Sequence, residues 1–135
     1  MLSSRGGIEV RLLLDTAILI WAVESPERLS ERAAAAIETP VNVLELSAVS
    51  LSEIAIKTAR GKLKLDGVTA RQAIEDFGIR ILPYTADHAF LLFEVPLHHR
   101  DPFDRQIIAQ ALAERIPVVT PDPTFHLYKG LNIIW

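Results

Sequence analysis

Four acidic residues at separate places in the sequence have positions that suggest chemistry: Asp15, Glu53, Asp104 and Asp122. If the fold brought them together, their like charges would repel by several kcal/mol at intermediate dielectric. Such a cluster is stable only around a divalent cation or with some of its acids protonated. Whether the predicted elements bring these acids together therefore decides what chemistry the chain can do.

Asp104 is the most informative of the four because it interrupts an apolar helical stripe. Helical spacing in residues 101–114 places Asp104 near the centre of an arc of apolar positions, which are Phe103, Ile107, Ile108, Ala111 and Leu112. The carboxyl group must be buried or line a cavity, so a cation, hydrogen-bond donors or a raised pKa must compensate it. This position favours a functional role over simple capping.

Asp15 and Asp122 each follow a predicted buried strand. Asp15 comes directly after residues 10–14 and opens a helix, so its position fits an N-cap and a functional carboxylate equally well. Asp122 lies between two prolines after the strand at residues 116–120, where Asp is also an ordinary turn residue. Ligands gather outside the carboxyl ends of parallel strands, so both acids are candidates for one site.

Local pattern alone assigns capping roles to Glu53 and Asp101. Ser50 and Glu53 form a capping-box pattern at the start of a predicted helix, residues 50–60, with Glu53 opposite the apolar face. Asp101 precedes Pro102, which is typical of an N-cap followed by proline at the first helical position. Because the first turn of a helix tolerates negative charge, Glu53 could still join the strand-end acids.

Strand patterns alternate with helix patterns along the chain. The predicted strands are residues 10–14, 41–49, 79–82, 116–120 and 131–134, and the predicted helices are residues 16–24, 30–39, 50–60, 69–77, 85–93 and 101–114. This order predicts an α/β domain with a mainly parallel sheet covered on both faces. Residues 1–9 lack periodicity and are predicted to form a flexible leader before a single domain, residues 10–135.

Composition limits the classes of function. The chain has 135 residues, 50% of them hydrophobic, which is enough for one domain. It has no cysteine, so thiolate metal sites and cysteine nucleophiles are excluded, and oxygen ligands would suit Mg²⁺ or Mn²⁺. The formal charge of −3 argues against binding a polyanion through bulk charge alone.

The longest apolar stretch does not indicate a membrane protein. Residues 12–23 contain Asp15 and are too few to cross a bilayer, which needs about 20 apolar residues. The same stretch could imitate a signal peptide, but Asp15 would lie inside its apolar core and no small-residue cleavage site is evident. A cytoplasmic location without membrane contact is therefore expected.

The sequence as a whole resembles the PIN-domain nucleases, and within them the VapC-like toxins of bacterial toxin-antitoxin pairs. The matching segments are LLLDTAILIWAV, SAVSLSEIAIKTARGKL, DPFDRQIIAQALAERIPVVT and TPDPTF. Together they cover the chain from about Val10 to the end. The ordered set is much more specific than any one segment.

The resemblance implies a fold, a site and partners. The fold would be a three-layer α/β/α arrangement with a central, mainly parallel sheet of four to five strands. The catalytic acids would be Asp15, Glu53, Asp104 and Asp122, with Asp101 and Thr120 in support. Of these acids, Asp15, Asp104 and Asp122 would bind Mg²⁺ or Mn²⁺, with Glu53 completing the shell directly or through water.

The same resemblance implies that the chain is an endoribonuclease toxin. Water activated by the metal would attack the phosphodiester in line and leave a 5′-phosphate and a 3′-hydroxyl. The partners would be an RNA substrate, a cognate VapB-like antitoxin and a second copy of the chain in a homodimer. One metal ion or two remain open.

Two other functions compete with the nuclease interpretation. A different α/β phosphotransfer or phosphatase domain would place a second acid two residues after Asp15, where the chain has Ala17. Similar toxins often have a larger polar residue at that position, so Ala17 is also a departure from the family pattern. A non-catalytic binding module of the same fold is the other rival, and acids at all four positions count against it.

Residues near the acidic motifs supply candidates for substrate contacts, which are Arg100, Arg105, Lys57 and Arg60. For any one of them, the pattern favours a solvated surface role over substrate contact. The neighbouring His98 and His99 are predicted to be plain loop residues, with contact to metal or RNA as the alternative. The aromatic residues Trp21, Phe103, Phe125 and Trp135 are assigned to core or subunit packing rather than to base stacking.

Overall fold

A computed structural model describes residues 10–135, so the predicted leader, residues 1–9, lies outside the described residues. The five strands of the sheet are β1 (Val10–Leu14), β2 (Asn42–Ser47), β3 (Arg80–Leu82), β4 (Val118–Val119) and β5 (Ile133–Ile134). They lie in the order β3-β2-β1-β4-β5, and each neighbouring pair is parallel. The predicted parallel α/β sheet is confirmed.

Within residues 10–135, six α-helices connect and cover the strands. They are α1 (Thr16–Glu24), α2 (Glu31–Glu38), α3 (Ala48–Ala59), α4 (Gly67–Asp76), α5 (Ala86–Leu92) and α6 (Pro102–Glu114), and short 3-10 helices lie at Pro26–Arg28 and Pro123–Leu127. Among residues 10–135, no helix is long and apolar enough to cross a membrane.

Alternation along β1 divides the core between the two faces of the sheet. Leu12 and Leu14 point into a cluster that contains buried residues of α1 to α4, whereas Leu13 points into a cluster built mainly from α6 and Phe125. All three leucines are almost completely buried. A strand buried on both faces reads as a continuous apolar run, which is why LLL precedes Asp15. The predicted three layers are confirmed.

The register of the parallel strands brings their carboxyl ends to one edge of the sheet. Leu14 pairs with Leu46 of β2 and with Val119 of β4. The residues that follow, Asp15 and Thr120, are therefore neighbours in space although they are distant in sequence. The backbone confirms this, since the Asp15 N–H donates to the Val119 carbonyl at 3.0 Å.

The start of α3 differs from the prediction. The predicted capping box beginning at Ser50 is wrong, because β2 ends earlier and the helix begins at Ala48 with Ser47 as its N-cap. The Ser47 hydroxyl accepts a hydrogen bond from the Val49 N–H at 3.0 Å. Because the N-cap is Ser47 and not Ser50, Glu53 lies in the second turn of the helix and not the first, and its side chain is buried.

The aromatic residues mostly pack as predicted. Phe125 is fully buried in the cluster beneath Leu13, and the Trp21 and Trp135 rings pack with their centroids 5.9 Å apart at the margin of the other cluster. Their assignment to packing is confirmed. Phe103 is half-buried on α6.

Candidate active site

Asp15 lies at the carboxyl end of β1 and is 6% exposed. It occupies the N-cap position of α1, yet its side chain makes no capping hydrogen bond. Its Oδ2 instead accepts a hydrogen bond from the Thr120 hydroxyl at 2.7 Å. Burial raises the pKa of Asp15 to about 6, with further increases from the charges of Glu53 and Asp122 and a partial offset from Thr120. The carboxyl group therefore faces into a site rather than capping the helix.

Glu53 projects from the second turn of α3 and is 5% exposed. Its Oε2 accepts a hydrogen bond from Lys57 Nζ at 2.6 Å, one turn along the same helix. Among residues 10–135, no donor pairs with its buried Oε1. The capping role expected from pattern is wrong, and an unpaired buried carboxylate oxygen is available to a ligand.

Asp104 lies in the first turn of α6, and its side chain is only 15% exposed, as its place on the apolar stripe predicts. Burial is the largest cause of the rise in its pKa, to about 8, and repulsion from Asp15, Asp101, Glu53 and Asp122 adds to it. The charges of the other three predicted catalytic acids, Asp15, Glu53 and Asp122, therefore all act on Asp104. A divalent cation would relieve this repulsion.

Asp101 is the N-cap of α6, with Pro102 at the first helical position, as predicted. Its Oδ1 accepts hydrogen bonds from the backbone N–H groups of Phe103 at 2.8 Å and Asp104 at 3.3 Å. Asp101 therefore fixes the turn of helix that carries Asp104.

Asp122 begins the 3-10 helix after β4, as its place between prolines suggests. Its Oδ1 accepts from the Thr124 N–H at 2.9 Å, and its own N–H donates to the Thr120 hydroxyl at 3.1 Å. Burial tends to raise the pKa of Asp122, but the hydrogen bonds from Thr124 and His99 outweigh it, so the pKa is lowered. Thr120 thus contacts both Asp15 and Asp122, which is consistent with a supporting hydroxyl in the pocket.

His99 belongs to this cluster, so its prediction as a plain loop residue is wrong. Its Nε2 lies 2.7 Å from Asp122 Oδ2 and 3.1 Å from Asp104 Oδ2. His98, by contrast, is exposed and packs edge-on against Tyr128, with centroids 5.0 Å apart. The signal in the sequence was weak, because adjacent histidines in a polar loop do not indicate which ring turns inward.

The predicted substrate-binding residues lie in different surroundings. Lys57 is 40% exposed and already paired with Glu53. Arg100 and Arg60 are exposed, Arg100 beside His99 and Arg60 at the end of α3. Arg105 donates instead to the carbonyl groups of Pro96 at 2.9 Å and Val95 at 3.1 Å.

The donor set fits a hard divalent cation. The four acids offer carboxylate oxygens, one of which is buried without a partner, and the residues His99, Asp104 and Asp122 place ligand atoms within 4.8 Å of one another. Mg²⁺ and Mn²⁺ prefer such oxygen-rich sites. The fold and the site therefore define a three-layer α/β protein with a cluster of carboxylates at the carboxyl edge of a parallel sheet.

Comparison with known families identifies the class further. The PIN domain family model matches residues 12–131, which include all four acids. The chain therefore belongs to the PIN domain family. Comparison with curated protein sequences finds no match.

Solved structures share the fold at low sequence identity. VapBC2 from Rickettsia felis, bound to a DNA fragment from its promoter, is 17% identical, with a TM-score of 0.68 over 92% of this chain and 97% of that one. DNA-bound VapBC from Salmonella typhimurium is 19% identical, with a TM-score of 0.65 over 92% and 96% of the two chains. FitAcB from Neisseria gonorrhoeae is 21% identical, with a TM-score of 0.61 over 90% and 95%.

Proposed function

We propose that the chain is a Mg²⁺- or Mn²⁺-dependent endoribonuclease, the toxin of a toxin-antitoxin pair that works in the cytoplasm. The single observation that supports this most strongly is the clustering of Asp15, Glu53, Asp104 and Asp122, four acids from separate segments of a PIN domain, close enough that the charges of the other acids raise the pKa values of Asp15 and Asp104. Burial and then repulsion from the other acids raise the pKa of Asp15 to about 6 and that of Asp104 to about 8, so a cation would be needed to hold the whole group ionised near neutral pH.

Asp15, Asp104 and Asp122 would hold the metal, and Glu53 would complete the shell directly or through water. When bound, Mg²⁺ or Mn²⁺ supplies an activated water near neutral pH and shields the charge on the phosphoryl oxygens. The Thr120 hydroxyl orients the Asp15 carboxylate, and Asp101 fixes the helix turn that presents Asp104. The pocket therefore needs little rearrangement to bind the ion.

Lys57, Arg60 and Arg100 are the proposed contacts to the RNA backbone. Lys57 reaches Glu53 from the exposed side of α3, so its ammonium group lies between the acids and solvent. Arg100 is exposed next to His99, and Arg60 follows one turn after Lys57. These side chains supply positive charge where the phosphate must approach, although the net charge of the whole chain is −3. The guanidinium of Arg105 is bonded to loop carbonyls, so it is the weakest of the four candidates.

We also propose a VapB-like antitoxin as inhibitor and a homodimer as the assembly. The support is that the similar structures from Rickettsia felis and Salmonella typhimurium are VapBC complexes. An apolar groove of about 610 Å³ between α3 and α4 is lined by Leu51, Ile54, Ala70 and Ile74. An amphipathic helix lays its apolar face into such grooves, so this groove is a candidate surface for the antitoxin.

The alternatives predict different products. A phosphatase of another α/β class would release phosphate from small esters, and a binding module would bind RNA without cutting it. The absence of a second acid at Ala17 disfavours the first, and the unpaired oxygen of buried Glu53 disfavours the second.

The test is RNA cleavage by the wild type and by Asp104→Asn with Mg²⁺, with Mn²⁺ and with a chelator. The matched control is Asp76→Asn, because Asp76 is exposed at the end of α4. We expect metal-dependent cleavage that leaves 5′-phosphates, unchanged in the control and reduced about a hundredfold or more in Asp104→Asn. A wild type that cuts no RNA with either metal, or an Asn variant that cuts equally well, would overturn the assignment.

A further inference from the structure

The ring of His99 is held in one tautomer by the backbone. Its Nδ1 accepts a hydrogen bond from the Asp101 N–H at 3.1 Å. A backbone N–H can only donate, so Nδ1 carries no proton and the ring hydrogen lies on Nε2. The Nε2–H group therefore donates to Asp122 Oδ2, 2.7 Å away, and Asp104 Oδ2 lies 3.1 Å from the same nitrogen.

Further contacts fix the position of this ring. The edge of the His99 ring meets Phe125 at a right angle, with centroids 5.7 Å apart, and Phe125 is fully buried. The His99 backbone N–H donates to the Tyr128 hydroxyl at 2.7 Å, and Tyr128 is 3% exposed. The contact with Phe125 and the backbone hydrogen bond to Tyr128 thus both hold the ring in position. The ring cannot turn without disturbing the core cluster that contains Leu13.

We propose that His99 is a positioning residue of the metal site, which donates Nε2–H to Asp122 beside Asp104, and that it is not itself a metal ligand. This inference rests on the proposed function, because it concerns how the proposed metal-binding acids are oriented. The distances among His99, Asp104 and Asp122 would also suit three ligands of one ion. The tautomer decides between the two roles.

Coordination through Nε2 would require that nitrogen to lose its proton. The neutral ring would then carry hydrogen on Nδ1, which faces the Asp101 N–H, so two donors would oppose each other and the backbone hydrogen bond would be lost. Asp101 also caps α6 through the N–H groups of Phe103 and Asp104, so a displacement at Asp101 would move the turn that carries Asp104. Ligation by His99 would therefore disturb the acid that it is meant to assist.

Donation by His99 has a specific consequence for the two acids. The Nε2–H group donates to Oδ2 of Asp122, which follows β4, and Nε2 lies 3.1 Å from Oδ2 of Asp104, which lies on α6. The hydrogen bond orients the Asp122 carboxylate, and the partial positive charge of the same N–H group lies beside Asp104. Groups that orient ligands in this way tune metal affinity without touching the metal.

The first experiment measures the ring nitrogens of His99 by ¹⁵N NMR in the wild-type chain, before and after Mg²⁺ is added. We expect an Nε2–H, Nδ1-acceptor pattern in both states, with the Asp104 and Asp122 resonances shifting on Mg²⁺ addition. Transfer of the proton to Nδ1 on addition of Mg²⁺ would overturn the inference while leaving the nuclease proposal standing. If Mg²⁺ shifts none of the acid resonances, the metal site fails, and the inference and the proposed function fail with it.

The second experiment compares two substitutions that differ in where they place an amide. His99→Gln can present an N–H near the position of Nε2, whereas His99→Asn reaches only the position of Nδ1. We expect Mn²⁺ affinity within about threefold of wild type for Gln and a loss of about 10-fold to 100-fold for Asn. His126→Asn is the matched control, because His126 is exposed on the neighbouring 3-10 helix.

Equal affinities for the Gln and Asn variants would show that the Nε2–H is not what His99 contributes. Circular dichroism checks that each variant is folded, and the NMR measurement on the wild type decides the question if the Asn variant is not. RNA cleavage is measured separately. A wild type that binds Mn²⁺ with the expected tautomer but cuts no RNA would refute the nuclease activity and leave the positioning role intact.

Discussion

The Thr120 hydroxyl donates to Asp15 Oδ2 at 2.7 Å, although 105 residues separate the two in the sequence. Both residues are buried at the point where neighbouring parallel strands end. The same hydroxyl accepts from the Asp122 N–H, so a single side chain orients one acid of the pocket and anchors the turn that carries another.

Replacing Thr120 with valine should destabilise the protein by about 1–3 kcal/mol near neutral pH, because the buried Asp15 carboxylate loses its donor while the side-chain volume is kept. Urea unfolding measures the change. Thr120→Ser is the control, since it retains the hydroxyl, and we expect it to lose no more than about 1 kcal/mol. An equal loss in both variants would mean that packing of the methyl group, not the hydrogen bond, stabilises this position.

The stability of the metal-free protein should fall as pH rises above the acidic range. Burial raises the pKa values of Asp15 and Asp104 from 3.8 to about 6 and about 8, so the folded state keeps protons that the unfolded chain has released. The free energy of unfolding therefore decreases as pH rises through these values. The pKa values of Asp122 and Glu114 are lowered, so these two groups make the free energy of unfolding increase as pH rises. They do so only at lower pH.

Thermal unfolding in the presence of a chelator tests this at about pH 5.5 and about pH 8.5, with a higher Tm expected at the lower pH. In Asp104→Asn, the decrease of Tm with rising pH should be smaller than in the wild type at pH values above the pKa of Asp15. A Tm that rises steadily over this range in the wild type would contradict the assignment of the raised pKa values.

Asp104→Asn should separate stability from metal binding. At about pH 8.5, the substitution should leave the Tm of the metal-free protein unchanged or raised. The reason is that a buried, ionised Asp104 no longer repels the other acids. The increase in Tm that Mn²⁺ gives to the wild type should be lost, since a ligand stabilises only the state it binds. A large drop in the metal-free Tm would point instead to a structural role for this carboxyl group.

Arg105→Gln should loosen the loop that leads to His99. The guanidinium donates to the carbonyl groups of Val95 and Pro96. Removing it should lower the free energy of local opening by about 1–2 kcal/mol. Amide hydrogen exchange in residues 97–100 should therefore become about tenfold faster or more. Exposed Arg71 supplies the control substitution Arg71→Gln. Unchanged exchange combined with weaker RNA binding would favour the alternative, in which Arg105 contacts the substrate.

Much of the fold could be predicted because strongly periodic segments constrain it. The apolar run before Asp15 and the stripe on α6 fixed a buried strand and a buried helix face, and Asp104 stood out because a carboxyl group interrupts that face. The Asp101 and Pro102 pair marked the start of α6 correctly for a local reason, since N-cap geometry depends only on adjacent residues.

The positions of Glu53 and His99 could not be predicted from local pattern. Two serines three residues apart, Ser47 and Ser50, can each begin α3, and the choice depends on where β2 stops pairing with β1 and β3. The role of His99 depends on Phe125, Tyr128 and Asp122, which follow it by more than 20 residues. Tertiary contacts of this kind leave no local periodic signal.

The pairing of β1 with β4 also bears on when activity can arise during synthesis. Asp15 leaves the ribosome early, but the strand and turn that bring Thr120 and Asp122 beside it are translated much later. A nascent chain that has not yet reached Asp122 lacks a complete set of acids. If the chain is the toxin proposed above, each copy can therefore assemble its complete site only after most of the chain has been translated.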